Sequence, residues 1–191
     1  VNLSLIQPHE EVMAYVRKRD KETTLEWSLI LDMSGTTRHG VLAAVLDREA
    51  SMVAYLDCMI FDDKTEMYAR SQWPKIMRMI QQLRPGKSVK AWSIINDYGA
   101  NNFANDVKGN YDTSLNFISP NKNLITKDKS YDTIRTVFDE NRALVSEKCK
   151  MMLQEHAGFL INQNTGKPIE KRNELIDCNV YFLRVHDFKI K

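Results

Sequence analysis

Cysteine, proline and glycine are all scarce in this 191-residue chain, at 3, 5 and 7 residues. The three cysteines, Cys58, Cys149 and Cys178, are odd in number and far apart. That spacing excludes a disulfide framework and a cysteine-built zinc site, and it fits a reducing compartment. There is no low-complexity tract, no internal repeat and no glycine-rich phosphate loop. No apolar run approaches the length of about 18 residues that a membrane-spanning helix needs. Residues 1–20, "VNLSLIQPHEEVMAYVRKRD", lack the apolar core and small-residue cleavage site of a Sec signal peptide. Charge of one sign is also missing: 27 Lys and Arg against 25 Asp and Glu leave a net +2. No strong field is therefore expected to draw nucleic acid or an anionic membrane. Finally, no HExxH or similar spacing is present, so no metal site is expected.

What is present reads as an ordinary globular chain, with 43% hydrophobic and 27% charged residues. Its length suits one domain over residues 1–191, with no composition break to divide it. Pro8 opens a first helix, with Glu10 and Glu11 in its first turn, Lys18 and Arg19 in its last, and an apolar face of Val12, Met13, Tyr15 and Val16. "LEWSLILDM", "HGVLAAVLD" and "SMVAYLDCMIF" follow as three strands, with "DREA" turning between the last two. Their near-continuous apolar runs suggest strands covered on both faces. Pro74 is expected to start a second helix that "RPG" ends, and "SVKAWSIIND" to be a fourth strand. "YGANNFANDVKGN" is rich in Gly, Asn and Asp and reads as irregular. Tyr131 to about His156 reads as one long amphipathic helix stopped by Gly158, and "CNVYFLRVHDF" as a last strand. The expectation is an α+β fold, with helices packed on a mixed or mostly antiparallel central sheet.

The chemistry centres on "RHGVLAAVLDREASMVAYLDCM", residues 38 to 59. His39 begins one strand of the hairpin and Asp57 lies near the end of the other. A histidine base needs a partner that holds its tautomer and stabilises the imidazolium. The turn lies near the midpoint between them, so both are expected at one end of the hairpin, with His39 Nδ1 in hydrogen-bond reach of Asp57. The pattern of a His, an apolar strand, a polar turn and a second apolar strand ending in an acid resembles one group of Cys–His–acid enzymes. These are the SUMO- and ubiquitin-like-protein proteases, adenovirus protease and the YopJ-type effector acetyltransferases. The resemblance covers roughly residues 25 to 120. It implies a nucleophilic Cys in the loop after "AWSIIND", following an amide that helps form an oxyanion hole.

That loop contains no Cys. "NNFANDVK" offers Asn101 and Asn102 as amides and Asp106 before Val107, which stands where the Cys belongs. "NYDTSLNF" instead places Thr113 there, after Asp112. Val107 cannot act, and an internal Thr has a far higher pKa than a thiol. Cys149 and Cys178 read as core, and Cys58 should point away from Asp57. His9 and His156 read as solvated helix ends, and His186 with Asp187 as an edge-strand pair. Lys122, Lys127 and Lys129, and Lys167, Lys171 and Arg172, form two basic clusters. Through the resemblance, these imply inositol hexakisphosphate or acetyl-coenzyme A; otherwise no cofactor is evident. The expected function is thus an effector-type, virulence-related domain in the cytoplasm, delivered into a host cell. It would act on or bind a protein partner, either a host target or a ubiquitin-like protein, as a pseudoenzyme impaired because the nucleophile position lacks Cys. The alternative is a non-enzymatic α+β protein-interaction domain.

Overall fold

A computed structural model describes residues 3–33, 38–61, 69–97, 101–120, 127–158, 164–165 and 173–188. The strands are β1 (Ile6–Gln7), β2 (Glu26–Asp32), β3 (His39–Asp47), β4 (Met52–Phe61), β5 (Ser93–Asn96), β6 (Phe117–Ile118) and β7 (Ala143–Ser146). They form one seven-stranded mixed sheet in the order β1-β7-β4-β3-β2-β5-β6. The central β2–β3–β4 meander is antiparallel, and the outer pairings are parallel. Among the described residues, six α-helices cover it: α1 (His9–Glu22), α2 (Ala69–Leu83), α3 (Asn101–Asn110), α4 (Lys127–Asp139), α5 (Lys150–Ala157) and α6 (Glu174–Val185). The expected layout of helices on a mixed sheet is the one found.

Strand alternation explains the layering. Leu29 and Leu31 of β2, with Val41, Ala43 and Val45 of β3, pack with residues of α1, α2 and α3. Ile30, Leu42, Ala44 and Leu46 point the other way, into a second core with residues of α4, α5 and α6. Burial on both faces requires the near-continuous apolar runs that made these strands legible. At the hairpin turn, Asp47 accepts from Arg19 at 2.6 Å and from the Ala50 amide at 3.0 Å, fastening β3 to α1.

Four elements differ from the sequence reading. The long helix is broken: α4 stops at Asp139, Asn141 takes φ 55°, and β7 intervenes before α5. "CNVYFLRVHDF" is not a strand but most of α6, and "NNFANDVKGN" is helix α3. Pro74 lies inside α2 rather than opening it. Of the basic clusters, Lys122, Lys167, Lys171 and Arg172 lie outside the described residues. No helix among the described residues is long and apolar enough to cross a membrane.

Candidate active site

The parallel neighbours β2 and β5 end side by side, with Leu31 opposite Asn96. The Asp97 amide donates to the Leu31 carbonyl at 3.2 Å, so the chain leaving β5 stays tied to the end of β2. Alternation then sets the direction of two acids. Ile30 and Ile95 face α6, and so do Asp32 and Asp97, two residues further along each run. They are 8% and 6% exposed.

Helix α6 crosses the same place. Its Cys178 thiol donates to the Ile30 carbonyl at 3.8 Å, which seats the helix over β2. Asp177 is the neighbour of Cys178, and its Oδ2 accepts from Asn173 Nδ2 at 3.1 Å. Tyr181, one turn further on the same face as Asp177, registers the charge of all three acids. Burial raises its phenol pKa first, and Asp32, Asp177 and Asp97 raise it further. The same environment acts on Cys178, whose thiol is pushed up by burial and then by Asp32, Asp177 and Glu155. Three carboxylates thus share one mostly buried corner at the carboxyl ends of two parallel strands, where open α/β sheets bind ligands.

A further acidic group lies at the start of α6. Glu155 Oε2 accepts from the Leu175 amide at 3.0 Å. Arg38 reaches both Glu155, at 3.8 Å, and Glu174, at 3.7 Å. Gly40, paired with Asp32 across the sheet, permits this approach, because a Cβ there would lie 2.9 Å from Glu174 Cβ.

Carboxylate oxygens are the donors that hard divalent cations prefer. Among the described residues, however, no three His, Cys, Asp or Glu side chains are grouped closely enough to hold one ion unaided. The donor set therefore fits a cation held by one or two carboxylates, with water and a substrate phosphate completing its shell, as is usual for magnesium.

The expected His39–Asp57 pair does not form. His39 lies opposite Phe61, and Asp57 lies opposite Ala43, four residues along β3, or about 13 Å of strand. Among the described residues, neither ring nitrogen of the buried His39 has a hydrogen-bond partner. Asp57 instead interacts with Lys148 and with His9. His9 is no free helix end either, since its Nδ1 lies 2.7 Å from Ser146 Oγ. His156 is lodged against Phe138 and Asn179, and burial pushes its pKa down to about 3. His186 is buried at the end of α6 rather than on an edge strand, 2.7 Å from Ser28 Oγ. The expected loop residues fall on α3 and the turn after it. Asn101 and Asn102 are exposed, Asp106 accepts from Asn110, Val107 is fully buried in the core, and Thr113 is exposed.

Sequence reasoning missed Asp32, Asp97 and Asp177. A signal existed for the first two, since "LILD" and "IIND" are apolar strands ending in an acid. Asp177 was hidden by reading α6 as a strand that began one residue after it.

No protein-family model matches the chain, and no curated protein matches it. Solved structures do. The large terminase of a thermophilic bacteriophage aligns with a TM-score of 0.67 at 13% identity, over 86% of this chain and 40% of that one. The present chain therefore spans about two fifths of that protein. The P22 large terminase nuclease domain aligns with a TM-score of 0.66 at 10% identity, over 86% of this chain and 82% of that one. The nuclease domain of the large terminase from bacteriophage SPP1, solved with bound Mn, gives 0.56 at 15% identity, over 84% and 86%. These likenesses overturn the resemblance to Cys–His–acid enzymes, and with it the pseudoenzyme, effector and virulence reading. The expected protein partner and the expected absence of nucleic acid are corrected too, since the matched domains are nucleases. Net charge had suggested otherwise, but a total of +2 says nothing about one corner of a sheet. The fold is that of the large-terminase nuclease domains.

Proposed function

We propose that this chain is a metal-dependent nuclease domain that hydrolyses phosphodiester bonds in DNA. The observation that carries the reading is the convergence of Asp32, Asp97 and Asp177 beside the ends of β2 and β5, in a fold shared with nuclease domains. In this reading one or two of these carboxylates would hold each divalent cation, and Asn173 orients Asp177 through its 3.1 Å hydrogen bond. Bound cations would supply Lewis-acid stabilisation of the negative charge that develops on the phosphoryl oxygens. Arg38, braced by Glu155 and Glu174, keeps a positive charge near that edge. Tyr181 and Cys178 form the dry floor under the acids. The whole chain acts as one such domain, and a cytoplasmic setting suits its three unbridged cysteines.

The test is DNA cleavage by the purified chain with Mg²⁺ or Mn²⁺, against a chelator control. Asp32→Asn, Asp97→Asn and Asp177→Asn should each reduce cleavage roughly 100-fold or more, as loss of several kcal/mol of charge stabilisation implies. His39→Ala and Thr113→Ala should leave it within about threefold, a change worth less than about 1 kcal/mol. Cleavage that survives all three Asp→Asn changes, or wild-type protein inert with both metals, would overturn the reading.

A further inference from the structure

The proposed nuclease site uses Cys178 as packing and leaves the other two thiols without a role. Their placement is specific. Strand β4 pairs with β7 only through Val53, Ala54 and Tyr55. Past that point the chain leaving β7 turns through a short 3-10 helix, Glu147–Cys149, before α5 begins. On the edge away from β3, the second half of β4 therefore runs beside this turn instead of beside β7. Cys58 packs against the core that contains Cys149. Its Sγ donates to the Lys148 carbonyl at 3.5 Å, one residue before Cys149. Cys58 also lies close enough to act on the Cys149 thiol. Cys58 is half-buried and Cys149 is fully buried. One thiol is thus open to a reagent and its neighbour is closed off from solvent.

We propose that Cys58 and Cys149 are a redox pair, which a low-molecular-weight disulfide such as oxidised glutathione converts into an intramolecular disulfide tying β4 to the start of α5. In the first step the Cys58 thiolate attacks one sulfur of the oxidant. A mixed disulfide forms on Cys58, and one small thiol leaves. In the second step Cys149 gives its proton to solvent and attacks the Cys58 sulfur. The protein disulfide forms, and the second small thiol leaves carrying a proton. Two protein thiols are oxidised, and one small disulfide is reduced to two thiols. Burial and the neighbouring Cys58 and Asp57 raise the Cys149 thiol pKa. The second step is therefore the slower one and accelerates with pH. Cysteine pairs oxidised in a reducing compartment are generally transient or redox-sensing, which is the role assigned here. The assignment goes beyond the nuclease reading and does not depend on it.

The experiment incubates the full chain in graded mixtures of reduced and oxidised glutathione. Free thiols are then blocked with iodoacetamide, and non-reduced peptides are mapped by mass spectrometry. The expected end product is a Cys58–Cys149 linked peptide, preceded in time by glutathione on Cys58, with Cys178 alkylated only after denaturation. Two of the three thiols should be lost together and recovered with dithiothreitol. Cys58→Ser, a change at the half-exposed position, should leave Cys149 unmodified under the same conditions. The proposal is overturned if glutathionylated Cys58 is the final product. It is equally overturned if Cys58 links two chains, if Cys178 takes part in the bridge, or if an oxidising mixture leaves all three thiols free.

Discussion

Glu155 has surroundings that set a measurable pH response. Burial comes first among the influences on it, and Glu174 adds a like charge, while the Leu175 amide and Arg38 favour the ionised form. Burial wins, and the pKa rises to about 7. An acid whose folded pKa lies above its unfolded value, about 4.3 for Glu, stabilises the fold fully below the lower value. That contribution is lost as pH rises through the higher one. Stability should therefore fall between about pH 4.3 and 7 on account of this group. Glu155→Gln keeps an oxygen for the Leu175 amide and should flatten the profile in that window, read by thermal unfolding at several pH values. An unchanged slope would show that Glu155 is ionised in the folded protein throughout. At this same scale the sequence was least legible. Asp57 was recognisable as an acid on a strand, but its neighbour is His9, almost 50 residues away in the chain, rather than His39. A register shift between Ala43 and Ala44 changes the pairing by one residue, and no sequence pattern announced it.

Elements were more legible than residues wherever one period dominated. The three long strands and α1 emerged almost as expected, because two-sided burial and a charged helix face leave clear patterns. Helix α6 did not, since nearly all of Leu175–Leu183 is buried and a fully apolar run cannot be assigned by periodicity. Its better signal was electrostatic, with Glu174 and Asp177 in the first turn and Arg184 in the last, as the helix dipole favours. The α4–β7–α5 region failed for the opposite reason. Apolar residues on either side of Asn141 happened to continue a helical spacing across a break made by its left-handed backbone. How α6 seats on the sheet leads to a prediction. Gly40 lies directly under Glu174, where an added Cβ would meet its Cβ at 2.9 Å and its carbonyl oxygen at 3.0 Å. Both contacts belong to the base of α6, so neither is free to swing aside. Gly40→Ala should displace α6 from β3 at a cost of about 1–3 kcal/mol. Because that helix carries Asp177, DNA cleavage should fall more than the loss of folded protein explains. Equal losses of activity and of folded fraction would mean that α6 is not what positions the acid.

Across the whole molecule, the sheet order places the acidic corner where β2 has a parallel neighbour on one side and an antiparallel one on the other. Asp32 comes from the first long strand, Asp97 from the loop after β5 and Asp177 from the last described helix. The full tertiary fold is needed to bring these acids together, so the unfolded chain has no comparable site. Carboxylates gathered in a mostly buried corner repel one another with little screening, and a divalent cation bound there relieves that repulsion. A divalent cation should therefore bind the folded chain selectively and stabilise it by mass action. At a free concentration about 100 times its dissociation constant, the gain is about 2.7 kcal/mol. For a chain of this size that corresponds to a rise in Tm of about 5–10 °C. The measurement is thermal unfolding with and without Mn²⁺, followed by chelator, for the wild type and for Asp32→Asn and Asp177→Asn. The wild type should gain stability with the ion and lose it with chelator. Each variant should gain much less from the ion. A metal-induced shift of equal size in all three proteins would place the cation elsewhere on the molecule, whatever the cleavage assay reports.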